Sequence, residues 1–142
     1  VTNRVDVVSA VGEQVDGNSI GKVKVTVKQA PGAANIDLSQ TIVQWTDDSG
    51  AYDLTFQGTG SDAADSGFNV TNVQDGDSSI PVLNDPSDRF QLQMDLSEYR
   101  ANSAGLSEGS TAELQINTQS GGTSNVILNV PQTLSGTSAV NL

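Results

Sequence analysis

The chain has 142 residues, a formal charge of −11 and neither cysteine nor histidine. Those absences remove thiol nucleophiles, disulfides, the usual zinc ligands and the commonest general base at neutral pH. The acidity repels nucleic acid and anionic lipid, and no run of about eighteen apolar residues exists to cross a membrane. The length is that of one domain, 1–142, and nothing in it reads as an internal repeat or a linker. Between Lys28 and Arg89 lie ten carboxylates, all aspartate, and no basic residue. Such a run reads either as a solvated acidic face or as adaptation to molar salt, which shortens the Debye length to about 3 Å and screens the repulsion. The expectation is a halophilic source.

Period two dominates along the chain, and helical periodicity is nearly missing. Val5, Val7 and Val11 alternate in the first segment, which runs to the turn Asp16-Gly17-Asn18. In the second, Val23, Val25 and Val27 take one face while Lys22, Lys24, Thr26 and Lys28 take the other. Pro31 and Gly32 stop that strand. The lysines are expected either to blunt an edge strand or to meet the aspartate-rich loops of a neighbouring copy. In Ile36–Trp45 the apolar phase slips from even to odd numbers, so a bulge or a change of sheet is expected near Gln40.

Tyr52, Leu54 and Phe56 alternate next, residues 58–67 read as loop, and Phe68 with Val70 begins a short strand. Turn formers and two prolines make 74–88 a long loop, and Phe90, Leu92, Met94 and Leu96 alternate clearly after it. Residues 97–105 are compatible with one helical turn. Ala112, Leu114 and Ile116 form another strand, Val126, Leu128 and Val130 the next, and 134–142 closes the chain as an edge strand. Eight or nine short strands without a covering helix predict an all-β fold, an antiparallel immunoglobulin-like β-sandwich.

Three stretches resemble one family, the archaeal flagellins or archaellins: NRVDVVSAVGEQV at 3–15, VTVKQAPGAANIDLSQTIVQW at 25–45, and LNVPQTL at 128–134 with the following SGTSAVNL. The resemblance implies a β-sandwich outer domain, an extracellular place in the archaellum filament, and other archaellin subunits as partners. It also implies a hydrophobic N-terminal helix that this sequence lacks, so the expectation is an outer-domain fragment that is a monomer on its own.

Asn69-Val70-Thr71 is the one glycosylation sequon, and the resemblance implies that such sites can carry glycans. In a segment that also offers Asn84, Asp75 and Asp77 have the spacing of a calcium loop, with Asp85 and Asp88 close behind. They are the candidate ligands for calcium or another hard cation, although Ser79 interrupts the usual D-x-[DN]-x-[DN]-G pattern. A glycosidase pair with aromatic stacking or a Ser–Lys site finds no support, so no enzyme is expected. The rival reading is a cell-surface carbohydrate-binding or adhesion module with a calcium-dependent loop. A sandwich serves both roles, and fold alone does not choose between them.

Overall fold

The computed structural model describes residues 4–16, 19–48, 50–59, 67–76, 78–96, 106–119, 121–132 and 139–142. In chain order the strands are β1 (Val5–Asp16), β2 (Ser19–Gln29), β3 (Ile36–Asp37), β4 (Ile42–Asp47), β5 (Gly50–Thr59) and β6 (Gly67–Gln74). They continue with β7 (Val82–Leu83), β8 (Arg89–Asp95), β9 (Leu106–Ser107), β10 (Thr111–Asn117), β11 (Thr123–Asn129) and β12 (Ala139–Asn141). The all-β expectation holds. The detail differs, because ten strands join one curled sheet in the order β11-β10-β4-β5-β6-β8-β2-β1-β12, with β9 on β2. Only β3 and β7 form a separate pair.

Among the described strands, antiparallel pairing is interrupted once. β5 and β6 run parallel, with Thr55 opposite Gly67 and Phe56 opposite Phe68. That pair joins a half made of β5, β4, β10 and β11 to a half made of β6, β8, β2 and β1. The curl then brings the far ends together, where the Ser124 hydroxyl on β11 donates to the Val5 carbonyl on β1.

Between the halves lies one core cluster that draws on both, with Trp45, Leu54, Leu114 and Ile116 facing Val23, Val25, Phe90 and Leu92. Each fully buried large aliphatic or aromatic side chain contributes about 1.5–3 kcal/mol relative to exposure. The alternation of β2 places Val23, Val25 and Val27 in this core, all 0 % exposed.

Two local features diverge from simple alternation. A register shift in β1 between Val7 and Ser9 moves the inward set to Ala10 and Gly12, so Val11 lies opposite Lys24 on the other face. The phase slip near Gln40 is a change of sheet: β3 ends in a 3-10 turn, Leu38–Gln40, before β4 enters the main sheet. The Pro31-Gly32 stop is a tight turn in which Ala33 N–H donates to Ala30 C=O at 3.0 Å. Its Gly32 has φ +81°, the left-handed value that a type II turn requires at this position. The long loop at 74–88 contains β7, and the possible helical turn at 97–105 lies outside the described residues.

Candidate functional site

The segment between β6 and β8 carries the acidic candidates, and hydrogen bonds fold it back on itself. At one end Asp75 Oδ2 accepts from the Ile80 N–H at 3.0 Å. At the other, Asp88 Oδ2 accepts from the Asn84 N–H at 3.1 Å, and Asp88 is only 1 % exposed. Between them sits the Ser79 hydroxyl, 3.2 Å from Asp75 Oδ1, 2.8 Å from Val82 O, 3.0 Å from Asn84 Oδ1 and 3.4 Å from Asp88 Oδ2. A hydroxyl carries one hydrogen, so it serves one of these four acceptors at a time. The result is a knot of oxygens held by two carboxylates of opposite ends of the loop.

Of the four predicted ligands, Asp75 and Asp88 are brought together. Asp85 is not: its Oδ1 accepts from the N–H and the hydroxyl of Ser87, both at 2.8 Å. Those bonds favour the ionised form and hold the exposed Asp85 carboxyl below the usual carboxylate range. Asp77 lies outside the described residues. Among the described residues no three acidic side chains gather at one point. Asn84, named with the loop aspartates in the sequence, takes part, and Ser79 is the participant that the sequence reading missed. In the sequence Ser79 breaks a calcium motif, whereas in the structure its hydroxyl is the centre of the arrangement.

Asn69 does not face solvent. It is 6 % exposed on β6, directly opposite Gln93 of β8, which is 2 % exposed. A glycan on the folded chain would have to leave from this covered position.

The lysine stripe also sits differently from the expectation of a blunted edge. β2 is an inner strand, hydrogen-bonded to β1 on one side and β8 on the other. Lys22 lies opposite Glu13 and Asp95, and Lys28 opposite Asp6. Lys24 Nζ reaches Glu13 Oε2 at 2.9 Å, with the lysine side chain 23 % exposed. Lys24 thus pairs within its own sheet, in a contact that adds little stability at a wet surface, while Lys22 and Lys28 have carboxylates as cross-strand neighbours.

A groove of about 550 Å³ runs where β1 and β11 approach, lined by Arg4 to Val7 and Thr123 to Val126. Its charged side chains, Arg4 and Asp6, pair with one another at 3.2 Å. One carboxylate already engaged with a guanidinium does not make the two-carboxylate arrangement of a glycosidase.

Comparison with known proteins gives a consistent result. The family model described as archaeal-type flagellin matches residues 1–127. Flagellin A1 of Haloferax volcanii is 36 % identical over 149 residues, covering 96 % of this chain and 70 % of that protein. Flagellin B2 of Halobacterium salinarum is 38 % identical over 145 residues, covering 100 % and 71 %. The fold of archaeal flagellin FlaB1 from Methanocaldococcus jannaschii superposes with a TM-score of 0.85 at 18 % identity, covering 97 % of this chain and 95 % of that one. A chain of the archaeal flagellum of Methanospirillum hungatei gives 0.64 at 16 % identity, covering 95 % and 70 %.

Proposed function

The chain belongs to the archaeal-type flagellin family, and on that premise we infer that it is a structural subunit of the archaellum, the extracellular motility filament. The observation that carries this reading is likeness along the whole chain: relatives named as flagellins align with 96–100 % of it at 36–38 % identity. Its role is mechanical. A sheet curled around one continuous core resists deformation, because close-packed interiors have low compressibility. Partners in this role are other subunits of the same kind. We further infer that the domain does no chemistry, since the relatives are filament subunits and the groove at Arg4–Val7 holds only an internally paired carboxylate.

The test is composition of the native filament. Filaments sheared from the producing cells and digested for mass spectrometry are expected to contain this chain as a major subunit. Filaments that lack it, with the protein found elsewhere on the cell, would remove the reading. Glycan-array binding in place of incorporation would favour the adhesion module.

The loop at 74–88 adds a second element to the proposal, a bound hard cation. Calcium takes six to eight oxygen ligands, commonly carboxylate, carbonyl and side-chain amide together. Asp75, Asp88, Asn84 and the Val82 carbonyl are of those types, and all approach the Ser79 hydroxyl within 3.4 Å. Such an ion would tie the two ends of the loop together without any part in a reaction.

A further inference from the structure

The strand register bears on which surfaces of the domain meet a neighbouring copy. Among the described residues, four large aliphatic side chains are exposed: Val8, Ile42, Val73 and Ile127. They divide evenly between the two halves of the sheet. Val8 and Val73 both sit at register shifts, in β1 between Val7 and Ser9 and in β6 between Asn72 and Gln74. A bulge inserts one extra residue and re-aims its side chain, and here both extra residues are valines about half exposed.

The two bulges lie at nearly the same height. Val7 is opposite Val27, Val27 opposite Phe90, and Phe90 opposite Asn72. Three strand spacings separate them, roughly 14 Å. On the intervening strands at this height stand Lys28 and Arg89. Farther along the same strands Asn69, Gln93 and Asp95 are each 9 % exposed or less. Among the described residues, the exposed large apolar side chains of this half therefore stand at the level of Val8 and Val73, while Glu13 and Lys24 farther along are partly exposed polar groups.

The other half presents a different surface. Along β4 the outward residues are Ile42, Gln44 and Thr46, all exposed, and the register aligns them with Asn117, Gln115 and Glu113 of β10. Ile127 of β11 stands beside Glu113, and Asp53 of β5 beside Gln44. All five described basic residues, Arg4, Lys22, Lys24, Lys28 and Arg89, lie on or immediately before β1, β2 and β8. None is on this half. This face carries two exposed isoleucines together with the exposed carboxylates Asp53 and Glu113 and no described basic residue, so it offers apolar contacts inside an acidic rim.

We propose that these two faces bind each other between copies. The β5-β4-β10-β11 face of one subunit packs on the Val8–Val73 level of the next, with Ile42 and Ile127 meeting its apolar corners and Lys28 and Arg89 facing Glu113 and Asp53. The inference rests on the filament-subunit reading and names the surfaces that reading would use. Because two different faces of one chain meet, the contact is heterologous and repeats without closing, which is the geometry of an open helical array.

The experiment uses filaments assembled from the full-length protein at low salt, with filamentous fraction measured by sedimentation and microscopy. Lys28→Glu alone and Glu113→Lys alone are each expected to lower that fraction roughly fivefold or more, and the two together to restore it. Val73→Asp, which sets a like charge against an acidic face, is expected to lower it similarly, whereas Val73→Lys keeps it. A purely structural role of the bulge would respond alike to both. Circular dichroism of each variant establishes that the fold is retained. A double variant no better than the worse single one, or equal behaviour of Asp and Lys at 73, overturns the proposal. Absence of filaments from the unaltered protein overturns the subunit reading along with it; unchanged yield from every variant overturns this proposal alone.

Discussion

The indole Nε1 of Trp45 donates to Asp47 Oδ2 at 2.6 Å. The two residues are i and i+2 on β4, so their side chains share a face, and a fully buried ring is joined to a half-buried carboxylate. Hydrogen bonds to charged groups are shorter and stronger than neutral ones, and a tryptophan N–H can only donate.

Removing the acceptor therefore takes a charge-assisted bond away from a donor inside the protein. Asp47→Ala is expected to cost about 1–3 kcal/mol in denaturant unfolding, while Asp48→Ala at the exposed neighbouring position stays within about 0.5 kcal/mol. Equal effects at the two positions would show that the indole bond contributes nothing of its own.

Gly67 is the first residue of the parallel pairing between β5 and β6. A Cβ placed there would come within 2.2 Å of the Thr55 carbonyl oxygen, a backbone atom that cannot turn aside. Gly67→Ala is expected to destabilise by about 2 kcal/mol or more. Gly76→Ala, with open space around the new methyl, is expected to be neutral or to stabilise by up to about 1 kcal/mol. Thermal melts of both variants compare them directly.

If a cation ties the loop at 74–88, titration with calcium in a calorimeter releases or absorbs heat and raises the melting temperature. Asp88→Asn, which removes the buried carboxylate, is expected to abolish both responses. A wild-type chain with no heat and no shift would show that the oxygens around Ser79 are satisfied by their own hydrogen bonds.

The covered position of Asn69 sets an expectation opposite to that of the sequon alone. Thr71→Ala is expected to lower the intact mass of the native protein only by the side-chain difference itself, because no glycan leaves from a side chain 6 % exposed. A mass loss of a whole glycan in that variant would mean that modification precedes folding and that the strand accommodates it.

Salt is expected to stabilise. Screening across the change from 0.1 M to molar NaCl, where the Debye length falls from about 10 Å to about 3 Å, relieves repulsion on a chain of charge −11. A rise in melting temperature of at least about 3 °C, on the order of 1 kcal/mol, is the expected reading. A flat or falling curve would mean that the carboxylates are already compensated by local contacts such as those around Ser79 and Ser87.

The strands were legible wherever a residue's neighbours along the chain decide its face. Val23, Val25 and Val27 could only point one way, and the same holds for Phe90, Leu92 and Met94, because side chains alternate at every step of a strand. Val11 was misread for the same reason: one extra residue at Val8 reverses every face that follows, and a bulge leaves no mark in composition. The loop aspartates were visible as a group, but not which of them converge. Asp75 and Asp88 meet through Ser79 because β6 and β8 pair side by side, and the pair Gln74–Arg89 closes the fourteen residues 75–88 between them.

Local pattern thus determined the all-β character, the inward rows of valine and leucine, the turn at Pro31-Gly32 and the resemblance to archaellins. Tertiary structure alone decided that β5 and β6 run parallel, that β2 is an inner strand and that the described basic side chains collect on one half of the sheet. The physical reason is that the backbone bonds joining two strands are the same whatever their side chains. Which strands become neighbours is settled by how the whole apolar set closes into a single core, and no window along the chain contains that information.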